Sequence, residues 1–457
     1  MTYEVHNARN EASDLQTAIA GRVHAAGDAG YDAARRPWQR KFDPHPALVV
    51  EATSAADVQA ALRFARERGL PFSVQGVGHG VVRPLEGGVL VKLTAIDAVE
   101  VSAGARTARV GGGAVWSDVI AAAAPHGLAP LSGTSPAVSV AGYTVGGGAG
   151  WLSRAYGYAA DSVLRAEVVT AEGELVSASP DEHPDLFWAL RGGSGNFGVV
   201  TALEFRLYPV ASVYAGMAMF DAERAGDVFT AYREWALDEP DDSSTAVAVA
   251  QLPPAPELPE PVRGRRVLVL RAMYAGDPAD AERLLAPLYE AAGPPLLNGM
   301  RATTYADAAA MLPSPPPSVA EMRLELFHEV PDEVVAAAVA ANGAVSSVEL
   351  RHWGGAMARP PEGAGPIGHR EVPFSVVVGA QSPDPEQAEA LESAVEAVVA
   401  RLRPHATGGS FLNFLGDPTR TASAYAADDF RRLTAVKAAY DPDNVFQANH
   451  NIPPDRA

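Results

Sequence analysis

The segment Gln75-Gly76-Val77-Gly78-His79-Gly80 sets one imidazole among three glycines. Glycine accepts the backbone conformations in which successive N–H groups converge on a point, and such a nest holds an anion. A histidine beside it adds a nucleophile and proton carrier that is neutral near physiological pH. The chemistry expected here is a phosphate cradle with His79 at its rim. The apolar run Leu70-Pro71-Phe72-Ser73-Val74 precedes the loop and reads as a short buried strand, so the glycines fall where a strand ends and a tight turn begins.

A second wall comes from Leu131 to Trp151. Small and β-branched residues fill Ser132 to Val138, and five glycines lie between Gly142 and Gly150. Such a tract supplies little side-chain packing and lets backbone lie flat against something else. A flexible linker does not fit, because Val138, Val140, Tyr143, Val145, Trp151 and Leu152 fall at strand and turn spacing. The block Asp185 to Val200 reads as a helix end, a further Gly-rich loop and a strand. At the other end of the chain Asn449 and Asn451 stand two apart, and an extended segment would point both amides the same way.

Composition bounds what these groups can serve. The chain has 457 residues, more than one ordinary core holds, so two domains are expected. Its formal charge of -19 argues against a nucleic-acid partner and for a soluble acidic protein. The absence of cysteine excludes disulfides, thiolate metal sites and cysteine nucleophiles, and no metal is expected. Met1 to Gly27 has no apolar signal core and no span fit for a bilayer, which predicts a cytoplasmic protein with no membrane partner.

The elements that must position the candidates alternate along the chain. Residues 15 to 45 open with a helical pattern. Ala47 to Ala52 reads as a strand, and Ser54 to Arg68 as a helix capped by Ser54 with Val58, Ala61, Leu62 and Ala65 on one face. Further strands are expected at Val89 to Leu93 and Thr107 to Val110, a helix at Trp116 to His126, and a hairpin over Val163 to Val176. Beyond Pro209 the spacing predicts helices at Asp221 to Trp235, Pro278 to Leu288, Val334 to Ala341 and Pro385 to Leu402. Strands are predicted there at Val267 to Met273, Glu321 to Phe327, Ser346 to Trp353 and Phe374 to Ala380. Leu252 to Pro261 and Pro313 to Pro317 read as Pro-rich loops. The whole is α+β, its later part an antiparallel sheet with helices on one face.

Four stretches, GVGHG, VAGYTVGGGAGWLSRAYG, PDLFWALRGGSGNFGVVT and KAAYDPDNVFQANHNIPP, resemble the berberine bridge enzyme-like FAD-linked oxidases, within the vanillyl-alcohol oxidase, or PCMH-type, FAD-binding fold. They cover residues 31 to 209 and 410 to 454 well and the middle loosely. The resemblance implies an FAD-binding domain over 1–208, a substrate-binding domain over 209–410 and a return of 411–457 to the first. It also implies that His79 bonds covalently to the methyl edge of FAD, a task that suits a neutral imidazole. The alternative is a histidine that only hydrogen-bonds a phosphate. Ser135 stands where many relatives carry a second, cysteinyl link, so one bond at most can form.

By the same resemblance Gln75, Gly76, Val77, Gly78 and Gly80 line the pyrophosphate on one side. Ser132, Gly133, Thr134, Ser135, Val138, Gly142, Tyr143, Gly146 and Gly147 line it on the other. Val199 and Val200 approach the adenine or ribose, and Asn449 and Asn451 reach the pyrimidine edge of the ring. Gln75 replaces a common arginine and removes a positive charge.

The family commonly takes a proton with a tyrosine in a Tyr-x-Asn-Tyr segment, and here that segment is Phe411-Leu412-Asn413-Phe414. Phe414 accepts no proton. Tyr143, Tyr425, His352, Glu325 and Glu349 are the alternative bases, each also readable as core edge or solvated charge. Three functions follow as expectations. The first is an oxidase that passes a hydride from a medium-sized organic molecule to FAD, reoxidised by dioxygen, in a natural-product or antibiotic tailoring step. The second is a flavin-containing cyclase or rearranging oxygenase, where orientation replaces the lost base. The third is a drug-binding resistance protein.

Overall fold

The computed structural model describes residues 2–311, 314 and 316–455, with side chains from residue 9 onward. Leu312, Pro313 and Pro315 lie outside the described residues, the last two within the stretch Pro313 to Pro317 expected as a Pro-rich loop.

The chain first lays down a small sheet from β1 (Arg22–Ala25), β2 (Leu48–Glu51), β3 (Phe72–Gln75) and β4 (Val89–Lys92), in the order β1-β2-β4-β3. Strands β2, β4 and β3 run parallel, joined through the helix Ala55–Glu67, and end in register at Glu51, Lys92 and Gln75. Ser54 caps that helix by accepting the Asp57 N–H, and Val58, Ala61, Leu62 and Ala65 are buried against the sheet. The Gly-rich loop therefore leaves the carboxyl end of a parallel strand, where open α/β sheets place ligands.

A second sheet follows: β5 (Val99–Ser102), β6 (Thr107–Gly111), β7 (Val163–Val169), β8 (Leu175–Ala178) and β9 (Val199–Arg206), in the order β5-β6-β9-β7-β8 and antiparallel throughout. The third sheet holds β10 (Ser212–Asp221), β11 (Ser243–Gln251), β12 (Arg266–Tyr274), β13 (Leu297–Asn298), β14 (Arg301–Thr304), β15 (Val319–Phe327), β16 (Ser347–His352) and β17 (Phe374–Ser382). Its order is β13-β10-β12-β11-β16-β17-β15, with β14 also on β10. Period-two alternation splits its residues. Val247, Leu268, Leu270, Val348, Leu350, Val376 and Val378 pack under the helices Ala225–Trp235, Pro278–Ala292, Asp332–Val339 and Ala388–Leu402. The opposite face carries Arg271, Glu349 and Arg351 and looks toward the Gly-rich tract. The fold is α+β, with two antiparallel sheets beside the small, largely parallel first one.

Several expected elements shift. The opening helix runs over Thr2–Gln16, and beyond it only Tyr31–Arg35 is α-helical between residues 15 and 45. Val140–Val145, at apparent strand spacing, is a short helix begun at Ser139. Strands β1, β5, β10, β11, β13 and β14 escaped the sequence reading. In β11, Ser-Ser-Thr-Ala-Val-Ala-Val-Ala-Gln, alanines hold alternate sites and hide the period.

The tail is bound by a buried ion pair. Lys437 Nζ lies 2.6 Å from Asp441 Oδ2 with both side chains fully buried. The same ammonium donates to the carbonyls of Asn196 and Phe446, at 2.7 and 2.8 Å, so it joins the helix Ala427–Tyr440 to the loop before β9. Burial pushes the lysine down, and Asp441 opposes that. Lys437→Ala strands a carboxylate and two carbonyls, so we expect a loss of about 3–5 kcal/mol in denaturant unfolding. A loss below about 1 kcal/mol would show that other contacts hold the tail.

Candidate functional site

The loop after β3 is clamped on two sides. Val77 N–H donates to Ser139 Oγ at 2.9 Å, at the start of the short helix. The carbonyls of Val77 and Gly78 accept from Trp38 and Gln39 N–H at 3.0 and 3.3 Å. Gly78 has φ +88°, and a Cβ there would stand 2.7 Å from Pro37, so no other residue fits. A Cβ at Gly76 would strike Ser139 Oγ, whereas Gly80 faces open space. His79 stacks on Trp38 with ring centroids 4.1 Å apart. Its Nε2 is buried without a partner, and burial lowers its pKa to about 4. The imidazole is therefore neutral at pH 7, with a lone pair available.

The second wall is built around Tyr143 and Asn413. Cβ atoms at Gly133 and Gly148 would lie 2.9 and 2.5 Å from the Tyr143 ring. One at Gly146 would lie 2.7 Å from the Asn413 amide, and one at Gly147 3.0 Å from Phe411. These glycines seat side chains of the protein itself, which corrects the expectation that they all clear space for a ligand. Gly142 does open on free space. Asn413 accepts from Gly148 N–H and donates to the Tyr143 carbonyl, both at 3.0 Å. The Tyr143 hydroxyl is buried without a partner, and burial pushes its pKa well above 10, so it holds its proton.

The remaining expected residues divide. Ser132 Oγ lies 2.7 Å from the Tyr305 hydroxyl and Ser135 Oγ 3.0 Å from Ser314 Oγ, so both are engaged by the segment leading to β15. Thr134 borders the cavity described below. Val138 accepts from Trp116 N–H at 3.1 Å and is half-buried. Val199 and Val200 pair with Val169 and Val168, and their side chains are core. Asn449 has φ +56°, so the segment is not extended and the two amides do not act together. Its Oδ1 accepts from Val82 and Arg83 N–H at 3.0 and 3.2 Å. Asn451 Oδ1 is buried without a partner.

Between this wall and the third sheet lies a cavity of about 280 Å³, bordered by Thr134, Trp151, Glu349, Arg351, His352 and Phe414 among others. His352 shares the helix side of β16 with Val348 and Leu350. Its Nδ1 lies 3.0 Å from both Glu239 Oε2 and Arg154 Nη1, and burial lowers its pKa against the pull of Glu239. Glu325 lies between Arg403 and Arg420, with burial raising its pKa. Tyr425 donates to the Gly192 carbonyl at 3.1 Å. Sequence reasoning missed Arg154, Arg271 and Arg351. The signal available was the alternation Glu349-x-Arg351 on a strand whose other face is apolar.

Unpartnered buried polar atoms thus occur on Gln75 and His79, on Tyr143 and Thr144, and on Asn451, one set per wall and one on the tail. A native interior rarely leaves such groups unpaired, and a polar, ring-bearing cofactor would satisfy them. The model of an FAD binding domain matches residues 46–179, and that of berberine and berberine-like proteins matches residues 410–453, the two regions that meet through Asn413 and Asn449. Over these residues the chain resembles the berberine bridge enzyme-like FAD-linked oxidoreductases. Across 96% of the chain and 97% of the relative it is 29% identical to (R)-6-hydroxynicotine oxidase of Paenarthrobacter nicotinovorans. An FAD-linked oxidoreductase of Bacillus subtilis, YvdP, is 28% identical over 96% and 99%. The crystal structure of 6-hydroxy-D-nicotine oxidase from Arthrobacter nicotinovorans superposes with a TM-score of 0.81 at 27% identity, over 96% and 98% of the two chains. This berberine bridge enzyme-like chain is an FAD-linked oxidoreductase. Among the described residues no helix is long and apolar enough to cross a membrane, and no acidic or histidine cluster is suited to a metal.

The depressed His79 pKa has a consequence for the flavin-free chain. The unfolded histidine binds a proton near pH 6.5 and the folded one only near pH 4. The contribution of His79 is therefore complete above pH 6.5 and is lost as pH falls toward 4. We expect His79→Gln to flatten the stability profile between these values in denaturant melts. A slope unchanged by the substitution would assign the pH dependence to other groups.

Proposed function

We propose that this chain is an oxidase that carries FAD on His79 alone and oxidises a medium-sized organic molecule held in the cavity beneath the third sheet. The observation that carries it is His79 itself: stacked on Trp38, uncharged at neutral pH, its Nε2 buried and unpartnered in a glycine loop at a strand end. Bound FAD would supply an acceptor for a substrate hydride and pass the electrons to dioxygen, giving peroxide. The backbone of Gly76 to Gly80 and of Gly142 would hold its phosphates, and Asn451 would offer an amide to its ring. Phe414 and Trp151 would exclude water and shape the substrate face, which strengthens every polar contact there. The name of the hydroxynicotine oxidase relative supports reoxidation by dioxygen. A cavity of about 280 Å³ suits a small to medium-sized organic molecule, and we extend the proposal to a tailoring step on a natural product in the cytoplasm.

One observation favours the second reading, a cyclisation or rearrangement. Phe414 borders the cavity where relatives are expected to carry the proton acceptor. There orientation by the pocket would do the work.

We expect the purified protein to stay yellow after acid precipitation and its polypeptide mass to exceed the sequence mass by one FAD. His79→Ala should release the flavin into the supernatant and still bind it reversibly, because the other contacts are largely backbone. Complete release of flavin from the unaltered protein sinks the covalent reading.

Phe414→Tyr tests the reaction. Restoring a general base should raise oxidation of simple aromatic alcohols by about a hundredfold or more, read as flavin bleaching in single-turnover mixing. No gain would place the proton acceptor elsewhere or the chemistry outside alcohol oxidation.

A further inference from the structure

The cavity face of the third sheet carries two like charges in one cross-strand row. Arg271 on β12 and Arg351 on β16 each pair in register with Ala246 of the strand between them. Adjacent strands are about 4.8 Å apart, so the two Cα positions stand about 10 Å from each other with only a methyl group between. Glu349, one row along β16, bridges them: Arg271 Nη1 reaches its Oε2 at 2.9 Å and Arg351 Nη2 its Oε1 at 2.8 Å. Burial raises the Glu349 pKa, but the Arg351 and Arg271 guanidiniums overcome this and hold it below the usual carboxylate range. One ionised carboxylate thus faces two permanent cations. Both Nε atoms, of Arg271 and of Arg351, are buried and make no hydrogen bond.

The other charged groups bordering the cavity do not cancel this surplus. Arg154 is consumed by the carbonyls of Ser243, Glu239 and Trp353 and by the Glu239 carboxylate 3.6 Å away. Glu321 faces Lys41 at 2.5 Å and Arg323 at 3.1 Å. The triad Arg271-Glu349-Arg351 is left with one net positive charge and unused planar donors. The Arg351 guanidinium lies over the Trp151 ring, centroid distance 4.9 Å, beside the apolar Met322, Leu324, Val377 and Phe414. The guanidiniums are half-buried, and a buried N–H on such a group is costly when left unpaired unless an acceptor completes it.

We propose that Arg271 and Arg351 form a carboxylate-recognition site, and that the molecule bound in this cavity is an organic acid with an aromatic or apolar body. Guanidinium forks match carboxylate geometry, and a single surplus charge fits a monoanion better than a phosphate. The inference rests on the reading of the cavity as the substrate site and names the class of substrate.

The test is calorimetric titration of the purified holoenzyme with three matched probes: 2-naphthoate, 2-naphthamide and 2-naphthylmethylamine. We expect naphthoate to bind about tenfold or more tighter than the amide, and the amine weakest. Arg351→Gln and Arg271→Gln should bring the ratio of acid to amide toward one while retaining amide binding. Glu349→Gln should tighten naphthoate, because it removes the competing carboxylate, and this opposite sign guards against an arginine variant that misfolds. Several results overturn the proposal: no saturable naphthoate binding, an amide or amine bound as tightly as the acid, a ratio that survives both arginine changes, or weaker naphthoate binding in Glu349→Gln. Flavin content is read on the same preparations by visible absorbance. A flavin-free protein that keeps the acid preference sinks the oxidase reading alone, and a flavin-loaded protein without that preference sinks this one alone.

Discussion

The side-chain amide of Asn413 is the contact on which the site depends. It accepts from Gly148 N–H and donates to the Tyr143 carbonyl, so one planar group fixes two points of the Gly-rich tract to a segment that follows it by more than 260 residues. The closeness of the approach explains Gly146, where any side chain would collide with that amide. Phe411 and Phe414 flank it. The first packs on Trp353 and Tyr158 with centroids 5.1 and 5.5 Å away, and the second borders the cavity. Loss of the amide would leave a buried donor and a buried acceptor unpaired, at about 1–3 kcal/mol each. The Gly-rich tract is thus rigid because it is stitched, though its composition alone suggests the opposite.

The same logic recurs where the chain closes. Asn196 donates to the Gly193 and His450 carbonyls and accepts from Ile452 N–H, and Lys437 reaches the Asn196 carbonyl. The tail buries Leu433, Val436, Phe446 and Ile452 in the cores, and its polar contacts to backbone set distance and direction more sharply than that apolar packing does. That directional hold brings Asn449 onto the loop at Val82 and Arg83, laid down near the start of the chain. The third sheet meets the first half likewise: Gln39 donates to the Ala320 carbonyl at 2.6 Å and accepts from its N–H at 3.2 Å. The residue before it, Trp38, stacks on His79 and links its carbonyl to Ser318 N–H, so the rim of the cradle and the edge of the sheet move as one piece.

What was legible in the sequence was what local patterns encode. Ser54 as a cap, the parallel strand before Gly76, the hairpin over Val163 to Ala178 and the amphipathic helices of the second half all appear where spacing predicts them, and the four motifs named the family. What was not legible was set by tertiary contact. The glycines at 133, 146 and 147 read as lining a ligand, yet the atoms they clear belong to Tyr143, Asn413 and Phe411, and no local signal names those partners. Asn449 and Asn451 look equivalent until the left-handed backbone at Asn449 turns one amide onto the loop at Val82. Strand β11 was hidden because its alternate positions are alanine, and that same choice leaves the gap between Arg271 and Arg351.

Proton bookkeeping limits what can react here. Tyr143 is buried without a partner and keeps its proton far past neutral pH. His352 is uncharged but spends Nδ1 on Glu239 and Arg154. Glu349 is ionised, yet both its oxygens are taken by guanidiniums, so protonating it would break two charge-assisted contacts. Each group is arranged to stay in the state it already holds, and Phe414 contributes none. An alcohol must surrender its hydroxyl proton as the hydride departs, and in a dry cavity without an acceptor that step carries the cost of an unpaired charge. A neutral amine leaves an iminium and an ionised phenol leaves a quinone methide, and neither asks the protein for a base. Under the proposed oxidation the proton would be managed by the substrate's own ionisation, while the protein would supply position and a fixed field.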